Sequence, residues 1–341
     1  MKVLHLLASN KYSGAENVVC QIIKMFDGEI EMAYCSPNGE IKKTLENMNI
    51  QFFPLEKLNV KNLKKVVAEF KPDIIHAHDI RACTVASRIK KIKKIAHIHV
   101  NNVNMNKVSV RSLILKFISS KFDNIIWVSK SCLDNFKFKE SVKNKSLVLE
   151  NVIDPESVLN KIKDENVKKF DIIYLGRLTE QKDPLRLVEI LSQVKIKLPE
   201  IKIALVGDGN LREEVYQKID ELGLQNNVVK FGFLNNPYEV LNQSKLMLMS
   251  SLREGTPMCA IESMILGVPV VSTPTDGMKD LIINKKNGII YTTNEQAVSN
   301  IVWLLKSAQE LNKMSSFAKD FATKYNDLSG YKQKIKKVYG V

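Results

Sequence analysis

No run of about 18 or more apolar residues occurs in the 341-residue chain, so a membrane-spanning helix is not expected. The apolar start, Val3 to Ala8, is too short for a secretory signal core and gives way at once to polar residues. It reads as a first buried strand. Cysteine is scarce: Cys20, Cys35, Cys83, Cys132 and Cys259 are scattered, odd in number and form no CxxC pair. That excludes a zinc ribbon and a disulfide framework, and points to reduced core thiols in a cytoplasmic protein. No G-x-G-x-x-G follows the first apolar run, where only Gly14 stands, which weighs against a nicotinamide-dependent oxidoreductase. Low-complexity segments and solenoid repeats are also lacking.

What is present is an ordinary globular composition, 45% hydrophobic and 26% charged, with a net charge of +14. The length suits two domains better than one core. Residues 1–165 carry 27 Lys and Arg against 18 Asp and Glu, a balance of +9; the remainder carries +5. Such a balance fits an anionic partner (nucleic acid, a phosphorylated ligand or an acidic lipid surface) or simply a lysine-rich solvated surface.

Short β-branched runs alternate with helical patterns. Strands are predicted at 2–8, 30–35, 51–53, 73–77, 95–100, 124–128 and 146–149. After a polar stretch from Lys161 to Lys169, a second series covers 171–175, 201–206, 228–231, 246–249, 268–272 and 289–291. Helical patterns fall between them, among others at 15–26, 59–70, 81–91, 184–194, 210–222 and 257–266. This alternation predicts parallel sheets covered on both faces. Two such series predict an α/β protein of two Rossmann-like, doubly wound domains. The expected boundaries are 1–160, 161–325 and a C-terminal helix at 326–341 packing back on the first domain. In such sheets ligands bind beyond the carboxyl ends of the strands, so the loops after each strand are the candidates.

The loop after 246–249 is the richest. In "SLREGTPMCAIESMILGVPVVSTPTDG", Ser251 to Gly277, two glutamates, Glu254 and Glu262, stand with seven residues between them. Thr256 is expected to cap a helix that starts at Pro257 and ends before Gly267. The free amides near Met258, Cys259 and Ala260 would then bind an anion. Glu262 would lie about 6 Å further along the axis at 1.5 Å per residue, near the span from a diphosphate to its ribose. The loop after 171–175 brings Arg177 and Lys182, cations suited to phosphate oxygens. The Gly-rich turn Gly207-Asp208-Gly209 is as well explained by helix capping as by ligand contact.

Taken in order, "YLGRLTEQKDP", "LVGDGNLREEV", "VVKFGFLNN" and the Ser251–Gly277 stretch resemble the retaining glycosyltransferases of the GT-B fold, family 4. The N-terminal "SGAENVV", "PDIIHAH" and "WVSKS" fit in order too, so the resemblance covers nearly the whole chain. It implies two Rossmann-like domains facing a central cleft, with the acceptor on the first and a nucleotide-sugar, a UDP-sugar foremost, on the second. It further implies that Arg177 and Lys182 hold the diphosphate, Glu262 the ribose, and Glu254 the region of the donor sugar. Gly255, Thr256, Met258 and Cys259 complete the donor-binding loop, Gly14 approaches phosphate and acceptor, and His99 lies near the donor sugar. The implied setting is surface polysaccharide assembly, such as capsule or lipopolysaccharide, on a glycan or polyprenyl-linked acceptor. Two departures stand out: the family's Asn-Gly at the domain crossing is Asn151-Val152 here, and its later glutamate is Asp280.

No cofactor is expected, and no metal. Asp-x-Asp, the pattern of metal-dependent sugar transferases of the other common fold, is absent. His76 and His78 share one strand face, as do His97 and His99, but no acidic or cysteine cluster in the sequence completes a site. The leaving diphosphate would be neutralised by Arg177, Lys182 and a helix terminus. Residues 88–122, with "RIKKIKK" and an apolar stretch spaced by cations, fit peripheral contact with an anionic membrane from the cytoplasmic side, or a core helix with snorkelling lysines. An epimerase or phosphorylase on the same fold, and a basic nucleic-acid-binding protein, are the alternatives; the latter leaves the ordered loops unexplained, and no nucleic acid is expected.

Overall fold

The computed structural model describes residues 1–99, 104–163 and 168–341. Residue 100 of the predicted strand 95–100 and part of the predicted linker lie outside them. The chain divides into two compact units, Met1–Asn151 with Leu328–Val341, and Val152–Asp327.

Unit 1 runs β1 (Lys2–Leu6), α1 (Gly14–Met25), β2 (Glu31–Pro37), α2 (Ile41–Asn47), β3 (Phe52–Leu55) and α3 (Val60–Phe70). It continues with β4 (Ile74–His78), α4 (Asp79–Ala86), β5 (Lys93–Ile98), α5 (Val110–Ser119), β6 (Asn124–Trp127), α6 (Lys130–Asp134) and β7 (Ser146–Val148). All seven strands are parallel, in the order β3-β2-β1-β4-β5-β6-β7.

Unit 2 runs α7 (Pro155–Leu159), β8 (Phe170–Leu175), α8 (Pro184–Lys197), β9 (Ile203–Val206), α9 (Arg212–Glu221), β10 (Val228–Gly232) and α10 (Tyr238–Asn242). Then follow β11 (Ser244–Met249), α11 (Met258–Ile265), β12 (Val270–Ser272), α12 (Asp276–Leu281), β13 (Gly288–Ile290), α13 (Asn294–Lys306) and α14 (Ala308–Tyr325). Its six parallel strands lie in the order β10-β9-β8-β11-β12-β13. The last helix, α15 (Leu328–Tyr339), belongs to unit 1.

Local sequence explains most of these elements. In β1, Val3, Leu4 and Leu6 are fully buried, as expected of a strand covered on both faces. Helix α3 turns Leu63, Val66 and Phe70 inward. Asn59 caps it by accepting the Asn62 N–H at 2.8 Å, and Lys71 in the left-handed region ends it just before Pro72. Pro184 opens α8, which buries Leu187, Val188, Ile190, Leu191 and Val194. Each such side chain contributes about 1.5–3 kcal/mol of burial. Helix α11 has no polar face: seven of its eight residues are buried, so it runs through the interior of the unit.

In both sheets the chain leaves the first strand in one direction and later returns to its other side. In unit 2 the reversal falls between β8 and β11, which are hydrogen-bonded neighbours. At such a switch point the loops after the two strands diverge and leave a crevice.

Candidate functional site in unit 2

The loop after β8 supplies Arg177 and Lys182; the loop after β11 supplies Glu254 and leads into α11, which carries Glu262. The predicted donor-side residues thus gather at the switch point, although the two loops are about 70 residues apart in sequence.

The loops are stitched together by main-chain groups. The Ser250 hydroxyl donates to the Lys182 and Asp183 carbonyls at 2.9 and 2.7 Å. The Leu252 N–H donates to the Gln181 carbonyl at 2.9 Å, and the Gln181 amide to the Arg253 carbonyl at 3.0 Å. Between them the Lys182 ammonium reaches Glu254 Oε1 at 2.6 Å, with side chains 13% and 7% exposed. Burial alone would lower the lysine pKa, but the adjacent carboxylate outweighs it and the net shift is upward. Lys182 is therefore held charged and paired. Arg177 differs: its side chain is exposed and makes no ion pair among the described residues, while the Tyr174 hydroxyl fixes its carbonyl at 2.8 Å.

The helix start departs from expectation. Thr256 is not the cap: Pro257 takes that position with extended backbone, no side chain caps the helix, and α11 begins at Met258. The amide of Ala260 is not free either, since it and that of Ile261 donate to the Pro257 carbonyl. Proline cannot donate, so the amides of Met258 and Cys259 are those that precede the first intrahelical bond. Burial pushes the Cys259 thiol up to about 12, so it stands at the terminus as a neutral group.

One turn on, Glu262 is buried and its Oε1 accepts the Tyr238 hydroxyl at 3.0 Å. Burial raises its pKa, with the Tyr238 bond acting against the rise. Sequence reading missed Tyr238, which sits on a five-residue helix with no periodic signal linking it to α11. It also missed Gly277. A Cβ there would lie 1.3 Å from the Gly255 carbonyl oxygen, so only glycine lets the start of α12 approach the Glu254–Gly255 backbone. Gly207, with φ of +141°, does the same against the Gly176 carbonyl, where a Cβ would come within 1.8 Å. Asp280 is exposed on α12.

Gly14 and His99 belong to unit 1. Gly14 is the first residue of α1, after Ser13, whose hydroxyl donates to Glu16 at 2.5 Å. His99 follows β5; its N–H donates to Asp79 Oδ1 at 3.1 Å and its Nε2 lies 2.8 Å from His78 Nδ1. The desolvated ring is pushed down to about 3 and is neutral at pH 7.

Two doubly wound α/β units, one with cations, carboxylates and a buried helix start at its switch point, are the architecture of GT-B proteins. The chain belongs to the group 1 glycosyltransferases, glycosyltransferase family 4. Residues 12–157 match the family described as Glycosyltransferase Family 4, and residues 157–321 that described as Glycosyl transferases group 1. It is 31% identical to the uncharacterized glycosyltransferase MJ1059 of Methanocaldococcus jannaschii, over 74% of this chain and 71% of that one. It is 22% identical to an Escherichia coli UDP-Gal:alpha-D-GlcNAc-diphosphoundecaprenol alpha-1,3-galactosyltransferase, over 99% and 96%. A longer relative, the poly(glycerol-phosphate) alpha-glucosyltransferase of Bacillus subtilis, is 27% identical over 68% of this chain but 35% of its own length. The fold superposes on Anabaena HepE, in complex with UDP and glucose, with a TM-score of 0.87 at 21% identity, over 100% of this chain and 99% of that one.

Proposed function

We propose that this protein transfers a sugar, with retention of its anomeric configuration, from a UDP-sugar to a glycan or polyprenyl-linked acceptor in surface polysaccharide assembly. The observation that carries this reading is the convergence of Arg177, Lys182, Glu254 and Glu262 on the β8–β11 switch point. Arg177, Lys182 and the amides of Met258 and Cys259 neutralise the diphosphate, most strongly as charge develops on the leaving group. Glu262, steadied by Tyr238, accepts from the ribose hydroxyls. Glu254 faces the sugar, and the Gly255–Thr256 backbone lines the same loop. Gly14 and His99 serve from the acceptor-side unit. The UDP in HepE and the lipid-diphosphate acceptor in the name of the Escherichia coli relative support these choices of donor and acceptor.

The test is a nucleotide-sugar panel read by thermal stabilisation, followed by NMR of the product anomer with the stabilising donor. A UDP-sugar that raises the melting temperature and yields a retained anomer supports the reading. Turnover of donor without any acceptor would favour an epimerase, and a requirement for added Mg²⁺ or Mn²⁺ would remove the cationic side chains from the leading role.

Contact with an anionic membrane at the cytoplasmic face is part of the same proposal. No helix among the described residues is long and apolar enough to cross a membrane. Helix α5 buries Leu115 and leaves Val110 and Phe117 75% and 71% exposed beside Arg111 and Lys116. Apolar side chains among cations suit an interfacial helix. Flotation with anionic but not neutral vesicles, lost in Phe117→Asp, is the expected result.

A further inference from the structure

All five histidines of the chain lie together and buried in unit 1. They come from the three strands around its switch point: His5 from β1, His76 and His78 from β4, and His97 with the following His99 from β5. His5 is in register with His76, and His78 with His97, so the rings project from one sheet face. Adjacent ring centroids are 4.1–5.3 Å apart. The two HxH pairs are visible in the sequence. The third strand that joins them is not; the sequence argued against a metal because no acidic or cysteine cluster completed a site.

Two features set this cluster apart from packed core histidines. First, one ring nitrogen each of His5, His76 and His78 falls within 4.8 Å of the other two, and the same holds for His78, His97 and His99. Second, much of the rings' hydrogen-bonding capacity is unused. Both nitrogens of His97, Nε2 of His5 and of His76, and Nδ1 of His99 are buried with no partner among the described residues. Each unsatisfied buried polar group costs about 1–3 kcal/mol, so five in one cluster call for a missing partner. His76 also has the outer contact typical of a ligating imidazole. Its Nδ1 lies 2.9 Å from the Tyr339 hydroxyl on α15, and in the tautomer where Nδ1 donates to that oxygen Nε2 keeps its lone pair for a metal. The Asp79 carboxylate, beside His78 in sequence and bonded to the His99 N–H, adds negative charge at one end.

We propose that unit 1 binds a divalent first-row transition metal of the Zn²⁺ or Co²⁺ type through imidazole nitrogens of this cluster, with His78 as the shared ligand. Neutral nitrogen donors suit such ions, whereas Mg²⁺ and Ca²⁺ require oxygen ligands that the cluster does not offer. An ion in the first triad would tie β1 to β4, and one in the second would tie β4 to β5. It takes no part in neutralising the diphosphate in unit 2.

The experiment uses tag-free full-length protein, stripped by chelator and dialysed. Titration with Co²⁺ should give visible d–d absorption saturating at one equivalent. Equilibrium dialysis with Zn²⁺ should return the same stoichiometry, and the melting temperature should rise. His78→Asn should abolish binding, and the loss seen in His5→Asn or in His97→Asn tells which triad holds the ion. Tyr339→Phe, which alters only the outer contact, should weaken binding about 10- to 100-fold. Far-UV circular dichroism and a cooperative melt, read separately, report whether each variant is folded; should His78→Asn not fold, the wild-type Co²⁺ spectrum and Tyr339→Phe decide. No stoichiometric metal in the wild type would overturn the proposal and leave buried water as the missing partner. Binding unchanged in both His78→Asn and His97→Asn would overturn it equally, by moving the ion elsewhere.

Discussion

Lys182 and Glu254 offer the sharpest test of the unit 2 site, because the pair has a structural role whatever the substrate is. Their 2.6 Å contact is almost dry, with the carboxylate 7% exposed. Lys182→Ala strips the carboxylate of its cation without returning it to water. Losing one partner of a buried pair costs about 3–5 kcal/mol, and the lysine's residual exposure places this pair at the lower end, about 3 kcal/mol. For a unit of this size each kcal/mol is worth about 2–4 °C, so the melting temperature should fall by about 6–12 °C. Glu254→Gln leaves an amide oxygen for the ammonium and should cost less, about 1–2 kcal/mol. The double variant should then be more stable than the sum of the single losses, with a coupling of about 1–3 kcal/mol. Differential scanning fluorimetry of all four proteins, with and without UDP, measures this. If the proposed diphosphate role of Lys182 holds, UDP should stabilise Lys182→Ala less than the wild type. Strictly additive losses, or a Lys182→Ala protein melting within about 1 °C of wild type, would refute the buried pair.

Arg177 is exposed and makes no ion pair among the described residues, so Arg177→Ala should melt like the wild type while turnover drops about 30- to 1,000-fold, from about 2–4 kcal/mol of lost transition-state stabilisation; initial rates beside a melting curve decide it. Glu262 should separate stability from function. Its raised folded-state pKa means that its contribution is complete below the unfolded carboxyl value and is lost as pH rises through the folded one. Glu262→Gln, always neutral, should therefore be more stable than the parent at pH 8, lose that advantage below about pH 4, and bind UDP about 10- to 150-fold more weakly by calorimetry. Gly277→Ala forces a Cβ onto the Gly255 carbonyl, two backbone positions that cannot both stay. A loss of about 1–3 kcal/mol in denaturant melts and a fall in turnover are expected; a silent substitution would show that the loops do not pack as described.

The sequence by itself determined the elements and their class. Alternating strand and helix patterns, β-branched runs and turn residues are local, and they sufficed for a two-sheet α/β protein with its charged loops placed after β8 and β11. Arg177, Lys182 and Glu254 were legible for that reason, each standing a few residues beyond a strand whose end can be read from pattern alone, and Glu262 by its place one turn into the helix that follows. Tertiary structure decided which of these groups meet. Lys182 and Glu254 are 72 residues apart, and their pairing follows from β8 and β11 being neighbours, an order that no local propensity encodes. The helix cap moved from Thr256 to Pro257 and the helix start from Pro257 to Met258, a shift that the local residue types do not encode. Tyr238 reaches Glu262, and His5 joins two pairs of histidines on other strands, through the same ordering. Tyr339 meets His76 across 263 residues because α15 returns to unit 1. Spacing in sequence sets which side of a strand or helix a residue faces; only the packed topology sets what it faces.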